Sequence, residues 1–271
     1  MYYFVLEQAK NRWQAGFQNR IAAFLDDLQI VGEIAKANPI QKVEELCQLG
    51  LKKGYHTIVI IGTDTTISTL AALIAKQGAT LGIVPIDPES SFYNLIGCTN
   101  WEQACLALPK RRVATFDMGQ AGAERFFLTY VKIAPDKAKK PSQVLLEIAD
   151  FKAEVPALSM TVANGPLGDA DSELMRQGFS DSLLDIYVTT QVGQTNSSII
   201  SSIFKTEQKT TFSSLFHADR FRVSGLEQIL NVLGPDDRIL TKTPIEFSIV
   251  PSAIKVIIKK SSGVKAPVKH Q

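Results

Sequence analysis

Histidine and cysteine are scarce, with three of each in 271 residues. The cysteines, Cys47, Cys98 and Cys105, are odd in number and show no CxxC spacing. That argues against a disulfide framework or a cysteine zinc site and points to a reducing, cytoplasmic setting. His56, His217 and His270 lack any helical metal-ligand spacing, so an imidazole-based metalloenzyme is excluded and all three read as bland. Long apolar runs are missing too. No stretch approaches the roughly 18 uninterrupted apolar residues of a membrane span. The opening MYYFVLEQAKNRW has neither a basic leading segment nor a small-residue cleavage site, so no signal peptide is expected. An excess of one charge is also lacking: 29 basic against 27 acidic side chains leave a net +2. Nucleic-acid binders carry a dominant basic field, and this balance is too even for one. It tolerates a weak attraction to anionic membrane surfaces without requiring it.

What the chain has is apolar surface. Hydrophobic residues are 45% and charged residues 21% of the sequence, enough burial to offset chain entropy and to exclude disorder as the main state. The length suits one large or two ordinary domains.

The first hundred residues alternate strand and helix signals. Tyr2 to Leu6 reads as a buried strand. Ile21, Phe24, Leu25 and Leu28 follow at helical spacing, then Ile30 to Ala35 as a second strand. Val43, Leu46, Cys47 and Leu51 form another stripe, which Gly54 is placed to cap. Thr57 to Ile61 is continuously apolar and β-branched, as a strand covered on both faces requires. Gly62-Thr-Asp-Thr-Thr66 leads into Ile67, Leu70, Ala71 and Ile74, with Gly78 ending that helix. Leu81 to Ile86 is the next strand, and Trp101, Ala104, Cys105 and Leu108 mark one more helix. This alternation predicts a doubly wound parallel sheet. After Lys110-Arg-Arg112 the rhythm changes. Val113–Phe116, Phe126–Ile133, Val144–Ala149, Leu158–Ala163, Leu183–Thr189, Phe221–Val223, Ile245–Val250 and Ile254–Ile258 read as short strands, and 195–208 as a helix. Such spacing predicts an antiparallel β-sandwich. The expected division is an α/β domain over 1–110, a β domain over 111–260 and a basic, frayed tail over 261–271.

The turn Gly62–Thr66 carries the most information. Gly62 permits a sharp bend, and free N–H groups at the following helix start can hold an anion. Asp64 lies at the carboxyl end of a parallel strand, where open α/β sheets place ligands. Asp64 or Thr65 acting as a simple helix cap is the alternative. Thr63, Thr65, Thr66, Ser68 and Thr69 put many hydroxyls around one helix start, suited to a phosphate or to a turn with no ligand. Lys110-Arg111-Arg112 could meet phosphate or an anionic headgroup, or be a solvated run. Phe126 and Phe127 could line an acyl pocket or fill the sandwich core.

In order and spacing these segments resemble the catalytic core of diacylglycerol kinase and sphingosine kinase-like lipid kinases, distant relatives of NAD kinases. The family's strand ending in GGDGT is similar to Ile58-Val-Ile-Ile-Gly-Thr-Asp-Thr-Thr66, and its LGIIPLGTGNDFA to Leu81-Gly-Ile-Val-Pro-Ile86 and the residues after Ile86. Val162-Ala-Asn-Gly-Pro166 resembles the strand ending in Asn-Gly, and Asp181-Ser-Leu-Leu-Asp185 resembles DGLLD. Asp236-Asp-Arg238, with Lys242-Thr-Pro244 and the run from Phe247, resembles the DGE…TP segment and closing strands. The likeness spans nearly the whole chain. It implies ATP held around Gly62, Thr63, Asp64, Thr65 and Thr66, with Mg²⁺ neutralising its phosphates. It also implies Asp236 as general base toward a lipid hydroxyl, as in diacylglycerol, at a membrane surface, with Asp64 acting through the phosphate network. A homo-oligomer is compatible with it.

The departures fall on the chemistry. Thr63 and Thr65 replace two glycines whose missing Cβ lets the backbone approach phosphate. Asp87-Pro-Glu-Ser-Ser91 stands at GTGND, where Pro88 removes a donor and two carboxylates are added. Glu7-Gln-Ala-Lys-Asn11 stands at the NPxSG expected after the first strand. Arg238 replaces the DGE glutamate. Met175 or Arg176 replaces one of two magnesium-holding aspartates, the other being Asp181. The chain is then either an ATP-dependent lipid kinase or a degenerate homologue that binds nucleotide, lipid or protein without phosphoryl transfer.

Overall fold

The computed structural model describes residues 1–135, 141–165, 178–192, 210–235 and 237–259. The expected helix over 195–208 and the basic tail lie outside them. The chain forms two compact units. The first comprises Met1–Met118, Pro166–Asp181 and Pro251–Gln271, the second Gly119–Gly165 and Ser182–Val250.

In the first unit, β1 (Tyr2–Leu6), β2 (Gly32–Lys36), β3 (Thr57–Gly62) and β4 (Thr80–Pro85) are all parallel, in the order β2-β1-β3-β4. Every residue of β1 is buried, as are Ile58–Gly62 and Leu81–Pro85, the pattern of central strands covered on both faces. Helices α1 (Arg12–Asp27), α2 (Val43–Lys52), α3 (Asp64–Lys76), α4 (Phe92–Ile96) and α5 (Trp101–Ala107) make the connections. Asn11 and Asn100 begin α1 and α5 by accepting from Gln14 N and Gln103 N, each at 2.9 Å, the expected work of an Asn N-cap. Gly54 and Gly78 take left-handed φ of 84° and 63° just beyond α2 and α3, where any Cβ would be strained. All three cysteines are buried. Burial pushes the Cys47 and Cys105 thiols up to about 12, which leaves them protonated and inert.

The second unit is antiparallel. β7 (Tyr130–Ala134), β10 (Ser159–Ala163), β11 (Leu184–Val192), β12 (Thr210–Ala218), β14 (Asn231–Leu233) and β15 (Ile239–Lys242) form one sheet in the order β12-β11-β10-β7-β14-β15. Facing it are β8 (Ser142–Ile148), β9 (Phe151–Ala157), β13 (Arg220–Gly225) and the start of β16 (Ile245–Ile257), in the order β16-β13-β8-β9. β5 (Val113–Ala121) pairs β6 (Arg125–Phe127) beside them. Phe127, Val131, Leu146, Met160, Ile186, Phe221 and Phe247 belong to one buried cluster between the sheets. Phe221 stacks on Phe247 at 5.1 Å. Phe127 is therefore core. The architecture is the α/β-plus-sandwich arrangement that periodicity predicts.

Differences from expectation have local causes. The first unit runs to Met118, and the segment from Pro251 belongs to it as well. Ile245–Val250 and Ile254–Ile258 read as two strands because Pro251 and Ser252 interrupt the pattern. They are one strand: Phe247 pairs antiparallel with Phe221, while Lys255 and Val256 pair parallel with Thr80 and Leu81. Ser252 takes φ 50° at the break, and its N–H donates to Asp117 at 2.7 Å. Conversely Phe126–Ile133 is two strands, because β6 and β7 pair in different sheets. No helix among the described residues is long and apolar enough to cross a membrane.

Truncating Phe247, fully buried against Phe221 and Phe127, is expected to cost about 3–5 kcal/mol. Urea denaturation of Phe247→Ala checks this; a loss below about 1 kcal/mol would contradict the packing described.

Candidate functional site

The site is built at the carboxyl ends of β1, β3 and β4. These strands are neighbours, with Leu6 opposite Ile61 and Gly62 opposite Pro85, so the segments that follow them meet. Gly62 ends β3 with little room for a side chain: a Cβ there would lie 2.9 Å from Glu7 Oε2 and 3.2 Å from Thr66 Cγ2. Thr63 is the N-cap of α3 but makes no side-chain cap hydrogen bond. Its N–H and Oγ1 instead donate to the same oxygen, Glu7 Oε2, at 2.6 and 2.8 Å. Glu7 is anchored in turn: its N–H donates to Ile61 O at 3.0 Å, and its carbonyl accepts from the buried Gln18 of α1 at 2.7 Å. A carboxylate at a helix N-terminus is stabilised by the free N–H groups and the helix dipole. Here the chain supplies that anion itself.

Asp64, the first residue of α3, is half-buried rather than open. One carboxylate oxygen accepts from Ser90 Oγ; the other accepts from Ser91 N at 3.0 Å and Ser91 Oγ at 2.9 Å. Desolvation raises its pKa above the ordinary carboxylate value, the three serine hydrogen bonds oppose that, and Asp87 nearby adds to it. The segment Asp87–Ser91 is folded on itself: Asp87 Oδ1 accepts from Glu89 N at 3.0 Å, and Ser90 N donates to Asp87 O at 3.2 Å. Below it, the buried Tyr93 hydroxyl donates to Pro85 O at 2.9 Å. Its pKa is raised by burial first, with Glu102, Asp64 and Asp87 contributing. The side-chain oxygens of Thr65 and Ser68 are buried with no hydrogen-bond partner among the described residues.

Of the residues singled out in the sequence, Gly62, Thr63, Asp64, Thr65 and Thr66 gather at this turn. Asp236 lies outside the described residues, as do Met175 and Arg176. Next to Asp236, Asp237 pairs with Lys132 Nζ at 3.5 Å on the exposed surface. Asn164 is fully buried and donates through Nδ2 to Leu128 O at 3.1 Å. Arg111 stacks 4.8 Å over Tyr2 and donates to its hydroxyl at 3.1 Å, so that cation is not a purely solvated one. Sequence reading missed Glu7, Ser90 and Ser91 as partners of the turn. An acid directly after the first strand, where NPxSG was expected, was the available signal. It also took His217 as bland, whereas its Nδ1 lies 2.6 Å from Asp185 Oδ1, directly across β11 and β12. Only the strand register makes that pair visible.

Groups of the chain itself occupy part of the position where ATP is expected. The Thr63 N–H and hydroxyl are taken by Glu7, Pro88 offers no N–H, and Asp87 lies near enough to Asp64 to add to its electrostatic load. No group of three or more metal-ligating side chains occurs among the described residues.

No protein-family model matches the sequence. No curated protein sequence matches it at significance. Solved structures do. A diacylglycerol kinase from Bacillus anthracis str. Sterne superposes with a TM-score of 0.69 at 18% identity, covering 95% of this chain and 97% of that one. An NAD kinase from Archaeoglobus fulgidus in complex with ATP gives a TM-score of 0.54 at 15% identity, covering 95% and 93%. The chain therefore has the two-domain fold of the diacylglycerol kinase and NAD kinase structures.

Because Asp64 has a raised pKa, its contribution favours the folded state below the unfolded value of 3.8 and is lost as pH rises through the folded value. Asp64→Asn can keep both serine contacts, its oxygen facing Ser91 and its amide facing Ser90. The variant should therefore gain stability relative to wild type as pH rises from about 3 to 7. Asp64→Ala, which leaves the Ser91 N–H without its acceptor, should cost about 1–3 kcal/mol at neutral pH. Urea denaturation of the three proteins across that range checks both signs.

Proposed function

We propose that this protein uses the diacylglycerol kinase fold to bind a nucleotide, a lipid or a protein partner without transferring phosphate. One observation carries the reading: the Glu7 carboxylate takes the Thr63 N–H and hydroxyl at the start of α3. In a nucleotide-binding turn those donors would face phosphate. A polyphosphate would have to displace Glu7 and then lie among Asp64, Asp87 and Glu89. Asp64 is engaged as a strut to Ser90 and Ser91, a positioning task within the chain. The loss of the glycines at Thr63 and Thr65, and of the glutamate at Arg238, points the same way. The three free cysteines support a reducing cytoplasmic setting.

The kinase reading keeps one specific support: Asp64 stands at the end of β3, in a fold shared with an NAD kinase in complex with ATP. In that reading Asp64 and Asp236 are the functional carboxylates, and ATP with Mg²⁺ supplies the transferable phosphoryl group.

Transfer from labelled ATP to a mixed lipid extract separates the two. The expected result is no phospholipid product from wild type. Calorimetry should also find Mg·ATP binding strengthened at least about tenfold in Glu7→Gln, since the substitution removes the charge that occupies the helix start. Product from wild type that falls about a hundred- to ten-thousand-fold in Asp64→Asn and Asp236→Asn would establish the kinase instead.

A further inference from the structure

The basic run Lys110-Arg111-Arg112 has no part in the site described above, and its middle residue is held apart from its neighbours. Arg111 follows the single 3-10 turn Leu108–Lys110 and takes a left-handed φ of 46°. Glycine suits such a helix end, because a Cβ is strained there. Two contacts fix the arginine side chain: its guanidinium stacks 4.8 Å over the Tyr2 ring, and its Nε donates to the Tyr2 hydroxyl at 3.1 Å. Tyr2 is itself buried and donates to Leu108 O at 2.5 Å. These contacts use the guanidinium face and Nε. The two Nη nitrogens have no partner among the described residues.

Arg111 borders a cavity of about 470 Å³ in which Met1, Leu28, Ile30, Val31 and Pro109 supply apolar walls and Arg111 the one cationic side chain. Small-molecule sites have volumes of roughly 300–1,000 Å³ and pair an apolar lining with few polar groups. The cavity lies at the amino ends of β1 and β2, where Tyr2 pairs with Gly32, at the opposite end of β1 from Glu7. All its walls belong to the first unit. Gln29, which also lines it, is a second non-glycine residue in the left-handed region, with φ 53° just past α1. Backbone strain of this kind gathers at ligand sites. The charge selects the ligand. One guanidinium balances one negative charge, and its fork matches a carboxylate with two parallel hydrogen bonds. Asp26, Asp27 and the C-terminal end of α1 directly precede Leu28, so a doubly charged group such as a phosphate would meet repulsion there.

We propose that this cavity binds a soluble monocarboxylic acid with a compact apolar body, its carboxylate on the Arg111 Nη nitrogens and its body along Leu28, Ile30, Val31 and Pro109. The guanidinium is already fixed by Tyr2, which lowers the ordering cost of binding. The cavity is separate from Gly62–Thr66, so the inference goes beyond the functional reading above and is independent of whether phosphate is transferred.

Ligand-observed NMR of the full chain tests this at about pH 8 with octanoate as probe, octan-1-ol as its neutral analogue and octyl phosphate as a doubly charged one. The expected result is saturable octanoate binding with a dissociation constant at or below about 1 mM, the scale for a ligand of about ten heavy atoms. Each analogue should bind at least about tenfold more weakly. Arg111→Gly, which also relieves the left-handed backbone, should keep the fold by circular dichroism and weaken octanoate at least about tenfold. Val31→Asp, at a wall residue that is 70% exposed, should do the same by adding a like charge. Arg112→Ala, at an exposed cation of the run that does not line the cavity, should bind as wild type. If Arg111→Gly proves unstable, Val31→Asp carries the test. No saturable binding, either analogue bound as tightly as octanoate, or binding that survives Arg111→Gly or Val31→Asp would overturn the proposal. So would an equal loss in Arg112→Ala, which would reduce the effect to general attraction by a basic run.

Discussion

Three parallel strands that end side by side must share a small number of backbone donors, and the way those donors are allotted decides the character of the first unit. β1, β3 and β4 are adjacent and buried, so Glu7, Thr63 and the segment after Pro85 are brought to one place. Two carboxylates settle the allocation. Glu7 reaches from β1 to the start of α3, and Asp64 reaches from α3 to Ser90 and Ser91. A side chain at Gly62 would meet Glu7, and the start of α3 takes its carboxylate partner from the chain itself.

The electrostatic outcome comes from that allocation. A helix N-terminus stabilises one negative group; once an anchored carboxylate holds the position, a second anion meets repulsion as well as lost donors. The anchoring is substantial, since Gln18 of α1 holds the Glu7 carbonyl from a buried position. α1 therefore holds the residue whose carboxylate meets the start of α3. The fold shared with kinase structures surrounds a site where Glu7 and Asp64 take their partners from the chain itself, while the buried Thr65 and Ser68 oxygens have none among the described residues.

The second unit shows the same economy in apolar form. Its core is drawn from both sheets, with Phe247 in ring contact with both Phe127 and Phe221. Polar pairs such as Asp185 with His217 are set by strand register rather than by neighbours in sequence.

Periodicity alone determined much of this protein. Continuous β-branched runs such as Thr57–Ile61 suit covered strands, helical stripes such as Ile67, Leu70, Ala71 and Ile74 pack on one side, and Gly54 and Gly78 mark ends where a left-handed residue is needed. Those are local properties, legible in order along the chain, and so was the gathering of Gly62 to Thr66 at one strand end. Tertiary structure decided the rest. That Glu7 occupies the helix start, that Asp64 braces Ser90 and Ser91, that His217 faces Asp185, and that Ile245–Ile257 is one strand with different partners at its two ends are all contacts across long sequence separations. Nothing in spacing encodes them, because hydrogen bonds are allotted only after the strands have aligned and brought distant side chains within reach.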